Sequence, residues 1–103
     1  MLQVPLSAVP TQTVDVILDG QACQLSLRQN GANMYLDLIA DGRDIVLTRI
    51  CRNRQLLLLD AQYRGFRGEL FFLDTQGELD PSYLGLGPNG RYVLVYLFED
   101  EEP

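Results

Sequence analysis

Residues 11–50 read TQTVDVILDGQACQLSLRQNGANMYLDLIADGRDIVLTRI, and three turn signals cut this stretch into four segments. Asp19-Gly20, Asn30-Gly31 and Asp41-Gly42 stand about ten residues apart, the spacing of consecutive hairpins. Between them apolar residues alternate. Val14, Val16 and Leu18 share one face opposite Thr13, Asp15 and Asp19, with Ile17 the exception on the polar side. Cys23, Leu25 and Leu27 oppose Gln24, Ser26 and Arg28 over residues 21 to about 29. Over residues 33–40, Met34, Leu36 and Leu38 oppose Tyr35, Asp37 and Ile39. In residues 43–50, Ile45 and Leu47 alternate with Val46 and Thr48. A side-chain period of two is that of a strand with one face buried, so the stretch predicts an antiparallel meander.

On the C-terminal side, residues 62–87 read QYRGFRGELFFLDTQGELDPSYLGLG. Dense turn residues bracket the aromatic-rich run from Glu69 to Leu73, which fits a buried strand, and Asp80-Pro81-Ser82 reads as a turn. Residues 56–59 are four consecutive leucines, and periodicity does not separate a helical turn from a doubly buried strand. The extended reading is preferred, because a helix here is brief and Gly65 follows soon after. In the last strand, residues 91–98, Tyr92, Leu94, Tyr96 and Phe98 share one face and Val93, Val95 and Leu97 the other. Apolar residues on both faces predict a strand covered twice, by its own domain or by a partner. Pro5 and Pro10 make residues 1–10 an extended arm. The sum is six to eight strands with little or no helix: an all-β, single-domain antiparallel β-barrel or β-sandwich over residues 1–98, followed by an acidic tail at 99–103.

The chain has 103 residues, enough for one core, and its net charge of −6 is unevenly placed. Glu99, Asp100, Glu101 and Glu102 carry most of it, so the body lies near balance. All eight basic residues are arginine, and six of them (Arg43, Arg49, Arg52, Arg54, Arg64 and Arg67) fall between positions 43 and 67. Arginine suits fixed contacts with carboxylates, although a solvated β surface uses it equally well. An acidic chain does not release counterions from phosphates, which argues against a nucleic-acid partner. No apolar run has the length of a membrane span, and the first residues lack the pattern of a signal peptide. Cytoplasmic synthesis with a mature chain starting near Met1 is the expectation.

The chemistry inventory is short. With no histidine, imidazole triads and the common zinc sites are absent, and Cys23 and Cys51 lack metal-ligand spacing. Both read as reduced, packed thiols. Glu69, Asp74, Glu78 and Asp80 cluster around one strand as a glycosidase-like set would, but such residues also flank turns, and that reading is preferred. Tyr35, Tyr63, Tyr83, Tyr92 and Tyr96 suit strands and interfaces, with sugar stacking the other option. The turn glycines match neither a calcium loop nor a phosphate-binding helix start. No catalytic, cofactor or metal residue emerges. The residues expected to make protein contacts are Val4, Pro5 and Leu6 of the arm, Arg49, Arg52, Arg54, Arg64 and Arg67, and Tyr92, Tyr96 and Phe98 of the two-faced strand.

Three stretches taken in order carry a family resemblance: VPLSAVPTQTVDVILDGQACQLSLRQ at 4–29, YLDL at 35–38 with its following turn, and YRGFRGELFFLDTQGELDPSYLGLGPNGRYVLVYL at 63–97. The chain resembles the small baseplate plug proteins of contractile-tailed bacteriophages, known from a cyanophage baseplate. The acidic tail and the leucine run depart from that pattern. The resemblance implies a non-enzymatic virion protein, made in the host cytoplasm, that closes the central channel near the hub and spike. It implies other tail proteins as partners (hub, spike, tube or baseplate initiator) and copies of itself, with no cofactor, nucleic acid or membrane. A small β-sheet binding module for carbohydrate or peptide, without catalysis, is the other reading.

Overall fold

In the computed structural model, residues 1–58, 66–87 and 90–98 are described. The meander forms as the alternation requires: β2 (Thr11–Leu18), β3 (Gln21–Asn30), β4 (Asn33–Ala40) and β5 (Arg43–Ile50) make a four-stranded antiparallel sheet in chain order. A second sheet contains β1 (Leu2–Val4), β6 (Glu69–Asp74) and β7 (Tyr92–Leu97), ordered β1-β7-β6 with both pairs antiparallel. Leu25, Leu27, Leu36 and Leu38 of the first sheet share one buried cluster with Leu70, Phe72, Leu94 and Tyr96 of the second. The architecture is therefore a sandwich, and the described strands form no closed barrel.

Two of the three hairpin turns follow the sequence directly. Asp19 and Gly20 both have positive φ (52° and 75°), as do Asp41 and Gly42 (51° and 79°), which is what a two-residue type I′ loop needs. The middle turn is displaced by one residue. Asn30 still pairs with Asn33, so the loop is Gly31-Ala32, with positive φ at Gly31 alone as in a type II′ turn.

The strict alternation expected of β5 fails for a specific reason. Leu36 pairs with Arg49, Leu38 with Val46 and Ile39 with Asp44, so β5 carries extra residues at two points. Each bulge reverses the side-chain phase. Ile45 and Val46 are consequently both buried, whereas Leu47, which strict alternation puts on the face of Ile45, is 59% exposed. Asp37 holds the bulge at residues 47–48 from the neighbouring strand. One carboxylate oxygen accepts from the Thr48 N–H and the other from Arg28, while Arg28 also donates to the Thr48 hydroxyl. Thr48 itself adopts positive φ (53°).

Between the sheets the chain makes a polar clasp. The buried Gln21 amide donates to the carbonyls of Leu18 and Arg67 (both 3.0 Å) and accepts from the Arg67 N–H (2.8 Å). The Tyr96 hydroxyl donates to the same Arg67 carbonyl at 2.6 Å. Gly68 follows with φ 98°, and a Cβ there would lie 2.3 Å from the Tyr96 hydroxyl, so only glycine fits. Phe66 and Phe98 pack edge-on against the Tyr96 ring at centroid distances of 6.2 and 5.2 Å.

The described part of the leucine run, residues 56–58, is not helical. Leu57 and Leu58 enter the central cluster, while Leu56 packs against a second cluster of Phe71, Val95 and Leu97 on the far side of the second sheet. A segment serving two cores has no reason to alternate. Leu57 N–H bonds the Leu70 carbonyl and Arg54 N–H the Phe72 carbonyl, so residues 53–58 run along the outer edge of β6. Leu59 lies outside the described residues. β7 is packed on both faces: Tyr92, Leu94 and Tyr96 line the central cluster, and Val93, Val95 and Leu97 the second.

The displaced phase of β5 gives a direct test by denaturant melting. Val46→Ala is expected to lower the unfolding free energy by about 2 kcal/mol, and Leu47→Ala by less than about 0.5 kcal/mol. Strict alternation demands the reverse order.

Candidate protein-contact surface

The loop between β6 and β7 is built around one carboxylate. Asp74 ends β6 with its side chain out of solvent, and Arg91, just before β7, meets it with two bonds: Nε to Oδ1 at 2.9 Å and an Nη to Oδ2 at 2.7 Å. The backbone N–H groups of Gln76 and Leu79 donate to the same carboxylate, both at 2.9 Å. The Arg91 guanidinium, with those N–H groups, holds the Asp74 carboxyl well below the usual carboxylate range against the opposing effect of burial. Thr75 closes the loop by donating its N–H and hydroxyl to the Arg91 carbonyl.

The next turn is fastened elsewhere. Asp80 accepts from Arg52 and from the Asn53 N–H (both 3.0 Å), and Asn53 accepts from the Asp74 N–H. Pro81 is buried, the Ser82 hydroxyl accepts from the Leu84 N–H, and Gln29 of β3 accepts from the Tyr83 N–H. Ser82 thereby caps a single 3₁₀ turn, Tyr83–Gly85. Two leucines project from this braced loop: Leu79, 57% exposed, and Leu84, 75% exposed. Sequence reasoning missed them. Their only signal is an apolar residue set among turn formers without a strand to belong to.

The structure divides the residues expected to make contacts. Val4, Tyr92 and Tyr96 are interior, and Val4 belongs to β1, paired with Leu94 of the same chain. The first residues of the arm thus complete their own sheet, and Ser7 is bound through its N–H and carbonyl to the Gln12 amide. Pro5 is exposed, and Leu6 and Phe98 are half-buried against the core. Arg52 pairs with Asp80 at 3.0 Å and Arg67 with Asp19 at 3.3 Å, so two of the expected arginines hold the chain's own loops. Arg49 and Arg54 form no ion pair among the described residues, nor does Arg43. Arg64 and Tyr63 lie outside the described residues, as does the acidic tail at 99–103.

Glu69, Asp74 and Asp80, three of the four carboxylates in the glycosidase-like set, do structural work, and Glu78 is exposed. Glu69 accepts from the N–H groups of Leu58 (2.7 Å) and Leu70 (2.9 Å), and Asp74 and Asp80 are held as described. A general acid requires a raised pKa, and that of Asp74 is lowered. Among the described residues no group of His, Cys, Asp and Glu is placed to hold a metal. Cys23 and Cys51 are free and buried, and burial pushes their thiols up to about 11 and about 12. Tyr92 and Tyr96 are interior, so neither offers its ring to a sugar-stacking surface.

What remains among the described residues is a β-sandwich whose polar side chains fasten its own loops and whose exposed groups include braced leucines and unpaired arginines, a scaffold suited to protein contacts. The family described as cyanophage baseplate Pam3 plug gp18 matches residues 1–100, and the chain belongs to this family of structural baseplate proteins. A comparison with curated proteins finds no match.

The Asp74–Arg91 pair generates a pH-dependent prediction. Because folding lowers the pKa of Asp74, its stabilising effect is complete above the unfolded value of 3.8 and is lost as pH falls through and below it. Asp74→Asn is expected to lower the urea midpoint at pH 7, and the gap from the unsubstituted protein narrows as pH falls below about 4. A gap that stays constant with pH contradicts the assignment.

Proposed function

We propose that this chain closes the central channel of a contractile-tail baseplate at the hub and spike, acting through protein contacts without catalysis. The family match over residues 1–100 carries this reading. The braced loop supports it. Asp74, Asp80 and Gln29 fix the backbone from which Leu79 and Leu84 project, so little conformational entropy is lost when another protein covers them. Arg49 and Arg54 add cationic groups that match carboxylates on hub, spike, tube or initiator subunits. The site of action is the virion tail, after synthesis in the host cytoplasm. The domain spans residues 1–98, and the segment 99–103 is a separate acidic tail.

Replacing both exposed leucines tests the proposal in assembled tails. The double variant Leu79→Asp, Leu84→Asp retains the far-UV circular dichroism of the parent, since neither side chain is in the core. Cryo-electron microscopy of tails assembled with the parent chain is expected to show its density on the tail axis. Tails assembled with the variant lose that density, with occupancy reduced by about tenfold or more. Parent density found only away from the axis overturns the channel-closing role. Undiminished occupancy of the variant overturns the assignment of the loop.

A further inference from the structure

The strand edges of this sandwich are protected unequally. β6 is flanked by residues 53–58, β1 is only three residues long and runs into Pro5, and β5 is twice bulged and carries Arg43, Asp44 and Arg49. Short length, bulges and charge are the usual devices that stop one sheet from adding to another. β2 has only the last of these, and in its weakest form. It is eight residues long, pairs with β3 without a register shift from Thr11↔Arg28 to Leu18↔Gln21, contains neither Pro nor Gly, and has Asp15 as its single charge. Among the described residues it pairs with β3 alone.

Which backbone groups β2 offers follows from its hydrogen bonding. Gln29 N–H bonds the Pro10 carbonyl, so even-numbered residues point their backbone groups at β3. Thr11, Thr13, Asp15 and Ile17 therefore aim N–H and C=O away from the sheet, and all four side chains are exposed, Ile17 at 63%. We propose that β2 pairs antiparallel with β2 of a second copy about a two-fold axis through Val14, joining two meanders into one continuous sheet.

The register follows from the side chains. Of the two-fold registers that set outward-pointing residues opposite each other, those with the axis at Val14 or Asp15 give the longest overlap, and an axis at Thr13 or Val16 shortens it. An axis at Asp15 sets two carboxylates directly across from one another, which is destabilising. An axis at Thr13 leaves Ile17 beyond the end of the partner strand. With the axis at Val14, the overlap runs from 11 to 17, Thr11 faces the partner's Ile17 and Thr13 faces the partner's Asp15. The Thr13 hydroxyl, 3.4 Å from that of Ser26, can accept from Ser26 and donate to that carboxylate. Val14 meets the partner's Val14 as a non-hydrogen-bonded pair with Cα atoms about 4.5 Å apart. This self-association is independent of where in a tail the chain sits.

The full chain, purified alone, tests this. Sedimentation equilibrium is expected to show a concentration-dependent dimer, and Asp15→Pro, which removes an outward N–H but no β2–β3 bond, raises its dissociation constant about tenfold or more. Val14→Cys under mild oxidant gives a disulfide-linked dimer, because its pair spacing falls within disulfide range and Cys23 and Cys51 are buried. Gln24→Cys, exposed on the adjacent strand, does not. A chain that stays monomeric at every concentration, with Val14→Cys linking no faster than Gln24→Cys, overturns the proposal. So does a dimer indifferent to Asp15→Pro in which Val14→Cys fails to link. If Asp15→Pro does not fold, the cross-linking comparison decides alone.

Discussion

The clasp made by Gln21, Arg67 and Tyr96 aligns the two sheets. Apolar contacts between sheets are non-directional and leave many relative positions nearly equal in energy. A buried amide is not so tolerant, since each unmet hydrogen bond costs about 1–3 kcal/mol. Gln21 satisfies its amide on the first hairpin and on the strand-entry residue Arg67, and Tyr96 adds a bond from β7. Gly68 lets the backbone pass close to the tyrosine hydroxyl. The observed arrangement of the sheets meets all of these conditions at once.

The same economy governs the surface. Carboxylates that a chemist would inspect for catalysis act as fasteners: Asp74 for the β6–β7 loop, Asp80 for the following turn, Asp37 for the bulge in β5 and Glu69 for the strand edge beside it. Loops held this way are rigid platforms rather than gates. A structural member of a phage baseplate needs surfaces that keep their shape, and the exposed leucines of the β6–β7 loop are presented on such a surface.

Much of the fold was legible in the chain. The meander, two of its three turns, the inward faces of β3 and β4 and the two-sided packing of β7 follow from a side-chain period of two and from turn residues with left-handed preference. The phase of β5 was not, because it is set by two bulges, one of them held by Asp37 on a neighbouring strand. The contact surface was read less well. Tyr92 and Tyr96 look like interface residues by type, yet face the core. Arg52 and Arg67 look free by sequence, yet meet carboxylates 28 and 48 positions away.

The sequence by itself therefore determined the class of fold, the strand order of the first sheet and the absence of histidine chemistry, since these depend on local periodicity and on which residue types are present. Tertiary structure alone decided that the N-terminal strand completes its own sheet, that β5 changes phase, which arginines are committed, and that β2 is the least protected strand edge among the described residues. Each of those outcomes depends on a partner far away in the chain, and a one-dimensional pattern holds no record of which distant groups meet.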